Sequence, residues 1–508
     1  GTGGPGGGGG AGGGGTNSGS AGPGKSTGPP EEKCTQAGHP VDVVSGHVVD
    51  TAFDLVIPGL IPLVWDRRYS SARRTDHDAP LGPGWALGVH QWLALEGDTL
   101  ALHDGDGRTI FFEPVGAGET TFHRRERLRL TASADGSYRV YSVATRLTRV
   151  YWATTPGEPA RLRSIRDAHD NAVVLDYEGA RLTRIVDTAG REVSVKWKQA
   201  RIVRVEVRAE GQLAQWVDYT YSASGCLTSA LDALGRADEY ESDRFNRITS
   251  ITLKNGVCFQ YTYEANTGRC AKTWGPKGLY ALALSADRAA HTTVLDGEEP
   301  RVYTWNDDGV VIREATPDGE VLYERAYDED LFLIAETNGA GEGDQLWYDD
   351  HGNLIRAVDA GGNVTAWEYD AEDQLVKEIT PDGLVTSYGY DARGSVVAVT
   401  LPSGASFSMT YDDRGRRTGV HGASGTVKAY EYDAANNVTV ETDARGARWV
   451  YAHDAMGRPV ACTDALGRTR RVAYDVLGRD IVTRRPDGTT TSSAYNELDL
   501  LAKYTDPL

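Results

Sequence analysis

Cysteine is scarce in this chain of 508 residues, which contains five: Cys34, Cys226, Cys258, Cys270 and Cys462. They are too few and too scattered for a disulfide framework, and no Cys-x-x-Cys pair suggests a zinc site. We expect them to be buried, small apolar residues. One bridge stays open as an alternative, because Cys258 and Cys270 are separated by a single predicted hairpin and oxidation could join them.

Long apolar runs and an excess of positive charge are also missing. The longest apolar stretch, 55–65, is interrupted by Pro58, Gly59 and Pro62 and is far shorter than the roughly 20 residues of a membrane helix. The net charge of −19 argues against a surface that neutralises phosphates. We therefore expect no membrane span and no nucleic-acid partner, and no signal peptide is visible at the N-terminus.

Recognisable catalytic and metal-binding patterns are lacking as well. No His-Glu-x-x-His, Gly-x-Ser-x-Gly or complete phosphate-loop pattern occurs, and the many aspartates fall at predicted turn starts. We therefore predict no catalytic residue, no cofactor and no metal, and read the chain as a non-enzyme. The isolated candidates set aside are His39, His47, His77, His90, Ser45, Ser403 and the tripeptide Gly24-Lys25-Ser26.

The chain does contain a tyrosine that recurs every 21 residues in its C-terminal third. We call each of these positions a slot. The slots are Tyr327, Tyr348, Tyr369, Tyr390, Tyr411, Tyr432, His453, Tyr474 and Tyr495. Internal repetition at a fixed period indicates a repeat architecture.

Two further residues keep the same period. Aspartate follows eight of the nine slots, and glycine falls fourteen residues after each of the first eight. Both mark turns, because aspartate bonds the local backbone and glycine tolerates positive φ. The glycines are Gly341, Gly362, Gly383, Gly404, Gly425, Gly446, Gly467 and Gly488.

Each repeat therefore predicts two short strands joined by two turns of about four residues. Turns this short join only antiparallel neighbours, and a sheet of that many strands curls as strand twist accumulates. We predict an all-β fold, a long antiparallel meander curling into a hollow shell. Residues 1–33 are expected to form a disordered Gly-rich linker, 34–155 an N-terminal β domain and 156–508 the repeat shell.

The side-chain pattern predicts one aromatic sheet face. Trp367, Tyr388, Tyr430 and Tyr451 lie two residues before a slot and share its face, whereas the intervening residues are polar or small. Such rings either pack the sheet or stack on sugars. Glycan binding therefore stays open beside a structural role, and a β-scaffold glycosidase is a third, less favoured class.

Several units resemble the YD repeat of Rhs proteins and of the related teneurin shell. They include Tyr390-Asp391-Ala392-Arg393-Gly394 and Tyr474-Asp475-Val476-Leu477-Gly478-Arg479. The segments 38–46, 65–70 and 81–85 are similar to the N-terminal domain that opens the Rhs shell in bacterial polymorphic toxins. Together these resemblances cover nearly everything after the Gly-rich linker.

The resemblance implies a shell that encloses a C-terminal toxin, absent from this chain, and carries it into competitor cells. It also implies delivery by a secretion system, often type VI, through an upstream PAAR/VgrG-type tip. Asp506-Pro507-Leu508 resembles a self-cleavage motif, but its register matches a turn cut one residue before its glycine. We expect a chain continuing past 508, and an unpaired, self-associating edge near residue 500. The alternative is a cell-surface carbohydrate-binding or adhesion protein.

Overall fold

The computed structural model describes residues 22–155 and 157–506. Its regular structure consists of strands and of three short 3₁₀ helices, Glu31–Lys33, Ser71–Arg73 and Pro276–Gly278. Within these ranges, no helix has the length and apolar character needed to cross a membrane. Most of the predicted Gly-rich linker, residues 1–21, lies outside the described residues, and so do Pro507 and Leu508.

The N-terminal region forms two small antiparallel sheets. Its strands are β1 Gln36–Ala37, β2 Val41–Asp42, β3 Val49–Ile57, β4 Leu63–Ser70 and β5 Trp85–Leu87. β1 pairs with β2, and β3, β4 and β5 form the second sheet in that order. Their apolar residues belong to the buried hydrophobic core, in which Trp65 and Ile57 are fully buried together with Leu81 of the segment before β5.

All other strands join one antiparallel sheet of 40 strands. The first eight are β6 Trp92–Glu96, β7 Thr99–His103, β8 Thr109–Phe112, β9 Thr120–His123, β10 Leu128–Ala132, β11 Tyr138–Ser142, β12 Leu147–Trp152 and β13 Ala160–Arg166. The next twelve are β14 Ala172–Glu178, β15 Arg181–Val186, β16 Glu192–Lys198, β17 Arg201–Ala209, β18 Gln212–Tyr221, β19 Leu227–Asp232, β20 Ala237–Ser242, β21 Ile248–Thr252, β22 Cys258–Tyr263, β23 Cys270–Trp274, β24 Leu282–Asp287 and β25 Thr292–Gly297.

The remaining twenty strands contain the regular repeats. They are β26 Arg301–Trp305, β27 Val311–Ala315, β28 Val321–Tyr327, β29 Leu333–Asn338, β30 Gly343–Tyr348, β31 Leu354–Val358, β32 Val364–Tyr369, β33 Leu375–Ile379, β34 Val385–Tyr390, β35 Val396–Thr400, β36 Ser406–Tyr411, β37 Arg417–Gly422, β38 Gly425–Tyr432, β39 Val438–Asp443, β40 Arg448–His453, β41 Pro459–Thr463, β42 Thr469–Tyr474, β43 Asp480–Arg484, β44 Thr490–Tyr495 and β45 Leu501–Thr505.

The sheet is a meander, as the repeat predicted. From β9 to β45 every strand pairs with its chain neighbours, and β6 also pairs with β13 through Leu93 opposite Ala160. β45 has a ladder with β44 alone among the described strands, so the sheet is open at that end. The sheet also crosses the domain boundary predicted at residue 155, because β12 and β13 pair across it.

The ladder between β22 and β23 excludes the possible Cys258–Cys270 bridge. Cys270 stands opposite Tyr263, five residues along β22 from Cys258. At about 3.3 Å per residue, the two thiols are roughly 16 Å apart, far beyond disulfide range. Both are free thiols. The spacing of twelve residues suggested that the two cysteines face each other across a hairpin. The chain between the two cysteines instead forms most of a strand and a turn, so they lie at different positions along the ladder.

Candidate functional site: wall, seam and covered face

Each tyrosine slot coincides with a β-bulge. The register shifts between Gly389 and Tyr390, and again between Thr410 and Tyr411. Bulges of the same kind lie at Tyr327, Tyr348, Tyr369, Tyr432, His453, Tyr474 and Tyr495. A bulge bends its strand and increases local twist. The period therefore adds one increment of curvature per repeat, which makes the sheet coil.

The slot hydroxyl ties consecutive strands together. Tyr390 donates to the carbonyl of Leu375 at 2.7 Å, and Tyr411 donates to Val396 at 2.8 Å, each fifteen residues earlier in the chain. The same bond joins Tyr263 to Ile248, Tyr432 to Arg417, Tyr474 to Pro459 and Tyr495 to Asp480. Phenylalanine would supply the ring but not this bond. Within the described residues the bond is present at five of the eight tyrosine slots, where the hydroxyl accounts for the choice of tyrosine.

The aspartate after each slot caps the turn. In Asp412 one carboxylate oxygen accepts from the backbone N–H groups of Arg414 and Arg416, and the other accepts from the Arg416 guanidinium at 2.7 Å. Burial alone would raise the pKa of Asp412, but these donors hold it below its usual value. The periodic aspartates are thus turn residues, and among the described residues no group of acidic, His or Cys side chains could hold a metal.

The glycines fourteen residues after the slots also adopt the predicted turn conformation. All eight have positive φ, between 77° and 110°. Where the slot turn itself lacks glycine, the left-handed position is taken by Asp373, Asn436 and Asp499, and at the first slot by Leu331, with φ between 63° and 75°. Asparagine and aspartate tolerate this conformation better than other L-residues.

The turns of one coil of the sheet dock on the turns of the next. We call β9–β20 the first coil, β26–β45 the second coil, and the contacts between them the seam. Arg124 bonds the carboxylates of Asp328 and Asp330 at 2.9 and 2.8 Å, and Arg125 bonds Asp308 at 3.2 Å. These residues lie about 200 positions apart in the chain, so the sheet makes a full circuit between them.

The seam continues along the second coil, where side chains of the first coil donate hydrogen bonds to carbonyl groups in the turns of the second coil. Arg146 donates to Gly394 at 2.9 Å, and Asn171 donates to Arg414 at 2.9 Å. Further contacts join Arg191 to Met456, Gln215 to Val476 and Arg236 to Glu497 and Asp499. Many contacts are charged or charge-assisted, and such bonds are stronger than neutral ones.

Among the residues that the structure describes, one of the two turn rows of the second coil takes part in the seam and the other does not. A Cβ added at Gly415, in a slot turn, would lie 2.4 Å from the His169 ring of the first coil. A Cβ added at Gly404 or Gly467, in the opposite row, would meet nothing within 4 Å. The second row is therefore a free rim, on which Leu466 is 76% exposed.

The N-terminal sheets cover an aromatic face of the first coil and of the nearby β22. Tyr221, Ser242 and Tyr263 are also spaced by 21 residues, and the tyrosines two residues before each of them contact the N-terminal sheets: Tyr219, Tyr240 and Tyr261. The Tyr219 hydroxyl donates to Asp54 at 2.5 Å and accepts from the indole N–H of Trp65 at 3.0 Å. Tyr261 donates to the His39 carbonyl at 2.5 Å, so the face binds polypeptide through its hydroxyls.

Arg67 is the central charged group in this contact. Its guanidinium is fully buried, bonds Asp54 at 2.9 Å and Asp238 at 3.2 Å, and donates to the Tyr240 hydroxyl. Burial opposes its charge, but the neighbouring carboxylates raise the pKa of Arg67 above its usual value. Burial also raises the pKa of Tyr240 well above that of free tyrosine, so its hydroxyl stays protonated.

The candidates for chemistry that sequence inspection singled out do not form a catalytic arrangement. Ser45, His47 and Cys34 line one cavity of about 490 Å³ in the N-terminal region. Ser45 donates its hydroxyl directly to Asp42 at 2.6 Å, not to an imidazole. Burial raises the pKa of Cys34 to about 12, which keeps the thiol protonated. His39 instead stacks on Phe259 with ring centroids 3.7 Å apart.

Sequence reasoning missed the residues that hold the coils together. Arg124, Arg125, Arg191 and Arg236 lie outside the regular repeats, and their partners are roughly 180 to 260 residues away. The arginine-rich segment 124–129 was the available signal, because its charge contrasts with the acidic second coil.

Comparison with known proteins agrees with this geometry. The RHS Repeat family model matches residues 348–385, 370–406, 390–427, 411–448 and 432–469, and the family called "Domain of unknown function (DUF6531)" matches 38–112. The solved structure of TcdB2-TccC3 without hypervariable C-terminal region aligns over 92% of this chain and 28% of that chain, with a TM-score of 0.52 and 12% identity. At this identity the likeness shows the fold alone.

Two curated relatives share sequence with the chain. The probable deoxyribonuclease RhsB of Dickeya dadantii (strain 3937) is 27% identical over 340 residues, which are 63% of this chain and 22% of that protein. The double-stranded DNA deaminase toxin A of Burkholderia cenocepacia (strain H111) is 28% identical over 208 residues, 39% of this chain and 14% of that protein. The chain thus spans less than a quarter of either relative.

The open antiparallel wall, with a bulge and a capped turn in each repeat, defines a β-shell repeat protein. Residues 348–469 match the RHS Repeat family model, so the chain carries Rhs/YD repeats, and it is similar to the Rhs-named relative described above.

Proposed function

We propose that this chain is the wall of an Rhs-type toxin shell that encloses and delivers a C-terminal toxin lying outside the chain. The observation that carries the proposal is the two-coil wall, which bends at every slot and is joined by the charged seam. Such a wall surrounds space rather than forming a catalytic cleft. The names of the relatives, a deoxyribonuclease and a deaminase toxin, support a toxin as the cargo.

The cargo's contact surface in this proposal is the aromatic face. In the first coil and in β22 that face already binds protein, because Tyr219, Tyr240 and Tyr261 contact the N-terminal sheets. In the second coil the equivalent Tyr388, Tyr430 and Tyr451 are only half-buried. An enclosed polypeptide would meet the same kind of surface there, which favours a polypeptide over a glycan as its ligand.

The proposal assigns chemistry to the cargo and none to the wall. A bacterial secretion system would carry the shell to competitor cells, with a PAAR/VgrG-type tip preceding the Gly-rich linker. The support for this route is the resemblance of the N-terminal segments together with the relatives named above. The wall contributes enclosure, and its own residues transfer no group.

Protease protection tests enclosure in the complete protein encoded by the gene. The region following residue 508 is expected to resist protease while the wall is folded and to be degraded once denaturant opens it. The same region expressed alone serves as the accessible control. Equal cleavage of that region in both proteins would contradict enclosure, and selective, tight binding on a glycan array would favour the carbohydrate-binding alternative.

A further inference from the structure

The tripeptide Gly24-Lys25-Ser26, which lacks the strand of a phosphate loop, is itself part of an added strand. We call residues 24–27 the strap. Gly24 donates its backbone N–H to Phe111 at 2.9 Å, and Phe111 donates back to Lys25 at 2.9 Å. Thr27 donates to Thr109 at 2.9 Å, which completes an antiparallel pairing along the outer edge of β8.

The strap is also held from the β9 side. His123 of β9 lies 3.2 Å from the Lys25 carbonyl through Nε2 and is 1% exposed. Its Nδ1 accepts from the Glu126 N–H at 3.3 Å, so Nε2 carries the proton and donates to Lys25. The strap therefore lies between β8 and β9, two strands that have no ladder with each other in the described part of the sheet.

The side chains of the strap are small apart from Lys25, which is partly exposed. Ser26 is 2% exposed and donates its hydroxyl to the Gly28 carbonyl at 3.0 Å. Gly24, the first residue of the strap, and Gly28, the residue after it, have φ of 78° and 111°, so both ends need glycine to turn the chain. No large apolar side chain anchors the strap. It is held by its backbone bonds to β8, by the His123 side chain and by the Thr109 N–H, which donates to the Thr27 hydroxyl at 2.9 Å.

The end of the strap and the two residues after it form one wall of the cavity of about 490 Å³. Thr27, Gly28 and Pro29 line it from one side, while Asp42 and His47 line it from the other. Release of the strap would therefore both free the β8 edge and open this cavity to solvent.

We propose that the edge of β8 is a peptide-acceptor groove, and that the strap is its removable occupant. The groove takes an extended peptide with small side chains and glycine at both ends. Its contacts are mainly backbone bonds, with a side-chain bond from His123, a bond to the Thr27 hydroxyl and space for one buried serine-sized group. Strand addition of this kind gets affinity from main-chain hydrogen bonds and selectivity from alternate side-chain pockets. The strap thereby attaches the Gly-rich residues 1–21 to the wall.

The test uses the full chain and a fluorescent peptide of sequence 22–33. Ser26→Asp places a charge at a buried position and is expected to expel the strap from the groove. The labelled peptide should then bind the variant at least 10-fold more tightly than it binds the wild type, whose groove is filled. Ser403→Asp, at an exposed serine, is the control for added charge, and a scrambled peptide controls for sequence.

The proposal would be overturned if the peptide failed to bind a Ser26→Asp variant whose near-ultraviolet circular dichroism is unchanged. Equal binding of the peptide to the variant and to the wild type would also overturn it. Amide exchange in the wild type provides a second measurement that does not depend on the variant folding. Removability predicts that the Phe111 amide exchanges faster than the amides of the β7–β8 ladder, by a local opening. Exchange of Phe111 only together with that ladder would refute it.

Discussion

The slot hydroxyl gives the account its most quantitative prediction. Tyr390→Phe keeps the ring at the bulge and removes only the 2.7 Å bond to the Leu375 carbonyl. A neutral intramolecular hydrogen bond contributes about 1 kcal/mol net, and retention of the ring leaves no cavity. We therefore expect the variant to lose about 1 kcal/mol of local unfolding free energy.

Tyr388 supplies a matched control in the same strand. Within the described residues its hydroxyl makes no hydrogen bond to protein, so Tyr388→Phe should change the unfolding free energy by less than about 0.5 kcal/mol. The triple variant at Tyr390, Tyr411 and Tyr432 should lose about 3 kcal/mol. Its sites are two strands apart, about 9.6 Å, where effects usually add.

The assay is native-state amide exchange of β33 to β37, compared with urea unfolding of the whole chain. Exchange reports local opening of the affected strands, which is where a nearest-neighbour repeat array should respond. Equal effects of Tyr390→Phe and Tyr388→Phe would refute the role assigned to the slot hydroxyl. A triple variant no less stable than the single one would do the same.

Three further predictions concern the seam, the covered face and acid stability. Gly404→Ala should lower the free energy of unfolding by about 1 kcal/mol, because of its positive φ alone. Gly415→Ala should cost about 1 to 3 kcal/mol more in thermal unfolding, because the added Cβ meets the His169 ring. Equal costs of the two substitutions would argue against the seam. Arg67→Met should lower the free energy of unfolding by about 3 to 5 kcal/mol, because it leaves buried carboxylates unpaired. The loss should appear as faster proteolysis of the N-terminal sheets. Unchanged proteolysis would count against the contact between these sheets and the aromatic face. Burial, and then nearby arginines, lower the pKa of His47 to about 4. The unfolded state therefore takes up the proton first, and stability falls as the pH drops from about 6.5 toward 4. His47→Gln should flatten that part of the pH dependence of stability, and an unchanged slope would exclude His47 as its source.

Local sequence rules sufficed for the repeat itself. The 21-residue period with its aspartates and glycines predicted the meander and both turns, and the structure confirms them. These features depend on contacts within one or two strands, such as the carboxylate of Asp412 with its own turn. Sequence patterns report such short-range chemistry well.

Long-range features could not be predicted in the same way. The bulge that bends each strand depends on pairing with the next strand, and the seam joins Gln215 to Val476 across 261 positions. The local sequence around Arg191 or Arg236 does not predict which residues these arginines contact. The strap was missed because its glycine-rich composition indicates disorder. Its order depends on the open edge of β8, a strand distant in the sequence.

The distance between the two coils tests the central claim most directly. Spin labels attached through non-canonical amino acids at Leu213 and Leu477, beside the 2.9 Å bond from Gln215 to Val476, would report it by double electron–electron resonance. A coiled wall predicts a label separation below about 30 Å. A flat sheet would place the same 24 strand steps roughly 115 Å apart, so the absence of a short distance would contradict the account.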